Sequence, residues 1–471
     1  MFLKSLRLAW SIGPSLFFAL HLGYTARMTT PATSLAALYR KLDLRLLPYL
    51  FLLYVVAYLD RVNVSFAAPS LSRELGFSSS VFGLGAGMFF AGYVLCEVPS
   101  NLILRRVGAR LWIARIMVSW GLVACAMALV HAPWSFHVLR FLLGVAEAGF
   151  LPGIIYYLTL WYPAPRRARA VALFMAATPV AGIIGGPLSG LLLEMHGAMG
   201  VSGWRWLFLL EGVPAVLLGF SVLWLLRDGP AHAPWLSSAE REMLAGELAF
   251  DSTDDLTPGS TGGPGTGQAR SLWAVLARLA RDSRVWLLSL GNFALCVGMY
   301  GLVMWMPTLI GEILGPGAGP EHVGLLSAIP YLGGAVGMVL IGRHSDRTNE
   351  RRWHTAGPLF VSALGFVLSL WPGGVALAGP WWSLFCFTVA TIGLWGMLGP
   401  FWTIPTGFLS GAAAAGGVAL INSVGNAGGF VGPTLVGYVR DATGSHVLGF
   451  LSIAVVMVLG GCSILWVTRR R

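Results

Sequence analysis

Charge is scarce in this chain. Asp, Glu, Lys and Arg make up only 11% of the 471 residues, against about a quarter in a soluble globular domain. Too few are present to clothe a water-exposed surface, so an ordinary soluble fold is excluded. Cysteine is scarce as well, with Cys96, Cys125, Cys296, Cys386 and Cys462 all inside apolar runs and no CxxC pair among them. Neither a disulfide frame nor a zinc site is indicated. The nine histidines lie mostly in loops or near the ends of apolar runs. With no paired ligands and no nucleophile set beside a base, an enzyme is not expected, nor a metal or cofactor.

What is present is hydrocarbon. Hydrophobic residues reach 56% and the mean hydropathy is +0.73. A bilayer core of roughly 30 Å takes about 20 apolar residues per helix. Twelve runs fit: 46–70, 81–104, 110–130, 134–160, 168–194, 204–226, 285–311, 322–343, 354–372, 380–405, 412–439 and 446–468. Backbone groups in lipid must bond within their own segment, so these runs are read as helices of an all-α membrane protein.

The net charge of +11 could suggest nucleic acid, but the placement of the cations points to the membrane. Of 31 Lys and Arg, Arg61 and Arg140 fall in mid-span and Arg73, Arg205 and Arg440 fall on one set of connections, leaving 26 on the other. The positive-inside bias makes that richer side cytoplasmic, with both termini on it, in a multi-pass inner-membrane protein. Residues 1–27 have a basic start and an apolar centre, and Met28 follows directly. A start-site artefact explains them as well as an extra helix would.

The chain divides into a cytoplasmic segment 1–45, a six-helix bundle 46–227, a polar linker 228–284, a second six-helix bundle 285–468 and a tail 469–471. In the linker, Ser237 and Glu240 form a capping-box pattern, "DSTDDLTPGSTGGPGTGQAR" reads as a flexible tether, and "SLWAVLARLARDSR" reads as an interfacial helix. The halves echo each other. "GIIGGPLSG" (Gly182, Gly186, Pro187) matches "GGFVGPTLVG" (Gly428, Gly432, Pro433), and the basic loop "NLILRRVGAR" matches "GRHSDRTNERR" at nearly the same offset. Duplicated units with an even number of spans insert the same way round, giving two pseudo-symmetric bundles about an axis along the membrane normal.

Asp60 and Arg61 lie near the middle of span one, and Arg140 and Glu147 lie in span four. A charge there costs at least about 2.5 to 3.5 kcal/mol, so each needs a partner or a task. Seven residues make about two turns, which puts Arg140 and Glu147 on one face, as the i, i+3 spacing does for Tyr58 and Arg61. A guanidinium stays charged and binds a carboxylate through two parallel hydrogen bonds, making Arg61 the first candidate for an anionic substrate and Arg140 the second. Asp60 and Glu147 are the proton candidates, with the choice between them open. In the second half, Asn422 is the polar candidate, with Asn426, Asn292, Tyr300, Trp395 and Trp402 behind it. Glu97 and Glu211 are expected in interhelical hydrogen bonds.

"YLDRVNVSFAAPSL", "CEVPSNLILRRVGARLWIAR", "RFLLGVAEAGFLPGIIYYLTLWYP", "PVAGIIGGPLSG" and "GWRWLFLLEGVPAVLLG" resemble the anion:cation symporters of the major facilitator superfamily. The likeness runs from about Leu46 to Arg471 and is densest in the first half. It implies import of a small organic anion (a sugar acid, dicarboxylate or aromatic carboxylate) with protons by alternating access, in a functional monomer. It also implies that Tyr93 and Thr178 line the cavity, that Arg140 can anchor a helix, and that Arg106, Gly108, Arg110, Asp346 and Arg347 belong to conformational latches. Asn101, Arg105 and Ala109 depart from the superfamily loop pattern, so the loop after span two lacks its acid. The rivals are an exporter of the same superfamily and an anion sensor that moves nothing.

Overall fold

The computed structural model describes residues 30–254, 278–315, 317–371, 374, 378–409 and 411–469. The segment 1–27, the flexible tether beyond residue 254 and the first half of the expected interfacial helix, 271–277, lie outside the described residues. Among the described residues there are helices and turns but no strand. In the first half the helices are α1 Thr30–Leu75, α2 Ser79–Val107, α3 Ala109–Ala126, α4 Pro133–Glu147, α5 Phe150–Thr159, α6 Ala164–Met175, α7 Ala177–Leu193 and α8 Gly203–Leu225. Helix α9, Ser238–Asp254, follows in the connecting segment. The second half holds α10 Ser283–Leu314, α11 Pro320–Thr348, α12 Arg352–Ser369, α13 Pro380–Gly396, α14 Leu398–Thr406, α15 Gly411–Thr443 and α16 Val447–Thr468.

Three pairs, α4 with α5, α6 with α7 and α13 with α14, are single spans interrupted by one or two residues, which gives twelve spans among the described residues. Ten of the twelve are long and apolar enough to cross a bilayer on length and composition alone. The other two, α12 and α15, take their places among them by packing. In the first half α2 packs on α4, α3 on α8, and α1 on both α7 and α8. Six spans later the same pairs recur: α11 on α13, α12 on α16, and α10 on both α15 and α16. The halves meet along α2 with α15 and α7 with α11, two seams related by the same repeat, and along α1 with α10. This is the two-bundle, pseudo-two-fold architecture expected from the sequence.

Small residues set the seams. Gly186 of α7 and Gly324 of α11 approach so closely that a Cβ on either would overlap the other's carbonyl oxygen. Gly182, one turn away, lies under the ring of Tyr331. The matching glycines of the second half are used differently: Gly428 and Gly432 pack on α10 within their own half, while Pro433 presents its carbonyl to Gly83 of α2 across the seam. A repeated motif has thus been put to two uses.

At the end opposite the chain termini, Asp441 of α15 caps the first turn of α2, accepting the amides of Ser79 at 3.0 Å and Ser80 at 2.8 Å. A carboxylate on a helix N-terminus is doubly favoured, by the free amides and by the dipole. At the other end, α9 opens on a reciprocal cap between Ser237 and Glu240, and Glu240 also pairs with Lys41 of α1 at 2.8 Å.

Two outcomes are expected. Gly324→Val should overpack the seam by about 1 to 3 kcal/mol and lower the melting temperature of the purified protein, whereas Gly342→Val, where a Cβ meets open space, should not. Partial burial alone would raise the Asp441 carboxyl, but hydrogen bonds from Ser80, Ser78 and Ser79 outweigh it and hold the group at about 2. Its contribution is therefore complete above the ordinary carboxylate range and fades only as pH falls toward 2. Asp441→Ala should cost about 1 kcal/mol equally at about pH 5 and pH 8, as melting curves at both values can check.

Candidate functional site at the bundle interface

The charged cluster begins with a break in span four. Helix α4 ends at Glu147, and the chain turns through Gly149 at φ +89° before α5 begins. Pro152 lacks the amide that would have bonded the carbonyl of Ala148 four residues earlier. Ser100 of α2 takes over, donating its hydroxyl to that carbonyl at 2.6 Å while accepting the indole N–H of Trp112 at 3.0 Å. A side chain on Gly149 would strike Ser100. The break is satisfied within the protein, as any non-helical backbone at membrane depth must be, and it leaves Glu147 on the last residue of a helix.

Glu147 forms a short ion pair with Arg61 of α1. Arg61 also donates from Nη1 to the Tyr300 hydroxyl of α10 at 3.2 Å, so one guanidinium joins both halves. Its Nε–H makes no hydrogen bond. The rings of Phe89 and Tyr93 lie 5.2 and 5.5 Å from the guanidinium carbon, and Phe90 packs on Tyr300 at 4.3 Å between centroids. Side-chain exposure is 12% for Arg61 and 2% for Glu147, so the pair is nearly dry but not sealed on the arginine side. Tyr58 lies near Arg61, Tyr300 and Tyr331, with its hydroxyl buried and unpartnered. Tyr331 meets Trp395 edge to face at 5.6 Å. A cation at the bundle interface is therefore ringed by aromatic groups from both halves.

The remaining candidates separate from this centre. Arg140 is buried, donates to the carbonyls of Gly85 at 3.3 Å and Ala86 at 3.5 Å, and lies against Phe89, tying α4 to α2. Thr178 donates to the carbonyl of Met175 at 3.1 Å, the acceptor that Pro179 leaves free at the break in span five. Asn422 donates to Glu97 at 3.0 Å across the α2–α15 seam, and Asn426 and Ser423 also reach Glu97. Asn292 holds the carbonyl of Ile421. Asp60 points away from the guanidinium beside it and pairs with Asn63 at 3.0 Å.

Among the expected latch residues, Gly108 makes the α2–α3 turn at φ +97°, and the amide of Arg110 donates to Asp228 at 3.0 Å. Asp228, at the far end of α8, thus supplies an acid that the loop itself lacks. Asp346 pairs with Arg351 of its own loop at 2.7 Å, while Arg106 and Arg347 are exposed. Tyr331, Phe89 and Phe90 were not foreseen. An aromatic residue within an apolar run carries no local sign that it faces a cation.

The model of the Major Facilitator Superfamily matches residues 50–433. The chain belongs to that superfamily. It is similar to a protein of Agrobacterium vitis provisionally named a tartrate transporter, 46% identical over 424 residues that cover 90% of both chains. It is also similar to the quinolone resistance transporter of Acinetobacter baumannii, 42% identical over 89% of this chain and 92% of the other. In fold it matches the crystal structure of a bacterial homologue of the human lysosomal transporter Spinster in an inward-facing, unoccupied conformation. The TM-score is 0.71 at 18% identity, over 90% of this chain and 96% of that one. As a member of the superfamily, the protein is a multi-pass membrane transporter and not an enzyme.

Arg140, on this geometry, is a strut. Arg140→Lys keeps the charge but loses the planar fork, and should destabilise the protein by about 1.5 to 3 kcal/mol, the range for hydrogen bonds from charged donors. Chemical denaturation of the purified variant checks this. A wild-type midpoint would contradict it.

Proposed function

We propose that the protein imports a small organic anion, a carboxylate such as a hydroxy-dicarboxylate, together with protons by alternating access of its two bundles. The observation that carries this reading is Arg61: a guanidinium near the middle of span one, held by Glu147 from one half and Tyr300 from the other, with its Nε–H unpartnered. A carboxylate ligand can take the bidentate geometry that Glu147 now occupies only in part. Once displaced, Glu147 is a buried carboxylate without its cation, and protonation relieves that cost. Substrate and proton then enter together and leave together. Because Arg61 touches both halves, the same exchange can loosen or tighten the interface as the bundles rock. Tyr58 and Tyr93 border the anion, and the neutral second half contributes shape and the Tyr300 hydroxyl.

The name of the Agrobacterium relative supports a dicarboxylate. The name of the Acinetobacter relative favours export as a second reading. Quinolones are themselves aryl carboxylic acids, so an arginine-centred site accommodates either cargo. The cation distribution supports a cytoplasmic location for both termini and the linker in either case.

Vesicles separate the readings. Right-side-out vesicles with an inward proton gradient should accumulate tartrate through the wild type, and Arg61→Ala should lower the initial rate by at least about a hundredfold, the scale of about 2.7 kcal/mol for a lost charged contact. Arg61→Lys, which keeps a point charge but not the fork, should recover only a small part. Normal accumulation by well-expressed Arg61→Ala would remove the assignment, and gradient-driven efflux of a quinolone without tartrate uptake would favour the exporter.

A further inference from the structure

Next to Arg61 in sequence, Asp60 belongs to a second polar cluster, shared with α3, α7 and α8, that the anion site does not use. Asp60 and Asn63 of α1, Trp120 of α3, Ser189 of α7 and Glu211 of α8 are each at most 4% exposed. Asn63 donates to Oδ1 of Asp60 at 3.0 Å and also reaches Glu211, and Ser189 donates to Oε1 of Glu211 at 3.1 Å. The indole of Trp120 is directed at Asp60. In this geometry Oδ2 of Asp60, Oε2 of Glu211 and Nε1 of Trp120 complete no hydrogen bond. Among the described residues neither carboxyl enters an ion pair. The charged and titratable groups facing them are Arg140 and Glu147 from α4, acting on Asp60 through space, and Cys125 from α3.

Two carboxylates ionised together here would be like charges in a dry, apolar setting, with the Asn63 amide, one hydroxyl and one indole as their donors. Four carboxylate oxygens offer about eight acceptor sites, far more than these donors can fill. A proton on either acid converts an unmet acceptor into a donor and removes the repulsion. We propose that Asp60 and Glu211 form a proton-sharing carboxyl pair, bridged by Asn63 and faced by Trp120, that carries a coupled proton separate from the Arg61–Glu147 ion pair. Hydronium gives its proton to the pair from one aqueous face, leaving water and a neutral acid. After the bundles rock, the acid returns the proton to water on the other face and the carboxylate is restored. Asp60 is the sequence neighbour of Arg61, so a movement of α1 that follows substrate binding also shifts Asp60 against α8.

The inference rests on the symport reading, so two measurements are needed. Infrared difference spectra of the reconstituted full chain at neutral pH test the pair itself. A protonated-carboxyl carbonyl band is expected in the wild type and in Glu147→Gln, and should be lost or shifted in both Glu211→Gln and Asp60→Asn. A band insensitive to both substitutions overturns the proposal. The second measurement compares gradient-driven tartrate accumulation with tartrate counterflow, which needs no net proton movement. Glu211→Gln should lose at least about tenfold in accumulation while counterflow stays within about twofold, one decade being one pKa unit of proton affinity. A glutamine meets every structural need of the Ser189 contact, so unchanged accumulation by Glu211→Gln also overturns the proposal. Glu211→Asp, which keeps the carboxyl, should restore part of the accumulation. If the wild type shows the band yet does not accumulate tartrate on a gradient, the symport reading fails and the shared proton stands.

Discussion

A guanidinium buried between two helix bundles must be paid for by its partners, and the pairing of Arg61 with Glu147 is the interaction on which the remainder of this molecule depends. Neither charge is tolerable alone at that depth. Glu147 reaches Arg61 from the last residue of a broken helix, and the break survives because Ser100 answers the carbonyl that Pro152 cannot serve. Tyr300 adds a neutral hydroxyl from the opposite bundle, which connects the pair to the interface between the bundles. On the proposed reading an anionic ligand competes for the same cation, and the pair exchanges with it. A buried ion pair kept only for stability could be replaced by well-packed hydrocarbon at little loss.

Around this centre other polar groups hold the helices together. Arg140, Thr178 and Asn292 are spent on backbone carbonyls, keeping helices in register. The seams are closed by small residues, by Asn422 on Glu97 and by Asp441 on the first turn of α2. These seams are among the more extensive helix packings in the chain. The Asp441 cap stays ionised through the working range of pH.

Much of this was legible in the sequence. Hydrophobic run length gave the spans, because a bilayer imposes one length on every helix, and the Gly-Pro repeat gave the duplication. Arg61 and Glu147 stood out because intramembrane charge is expensive. Other features were hidden for identifiable reasons. The break near Gly149 depends on Ser100 of α2 answering a freed carbonyl, and that is a tertiary matter. Arg140 and Arg61 look alike in sequence, and only the neighbouring α2 backbone distinguishes a strut from an anchor. Asp60 and Glu211 are separated by 150 positions and share no motif, so their meeting through Asn63 had no local signature. Tyr331 and Phe89 are chemically ordinary until the fold sets them beside a cation.

If substrate and carboxylate compete for one guanidinium, binding of an anion must itself draw a proton from solution, with no membrane gradient present. The direct measurement is the pH change of a weakly buffered solution of purified protein on addition of tartrate, followed with an indicator dye. The expected result is proton uptake by the wild type, abolished in Glu147→Gln even where tartrate still binds. Tartrate binding to the wild type with no proton uptake, or with proton release, would contradict the account.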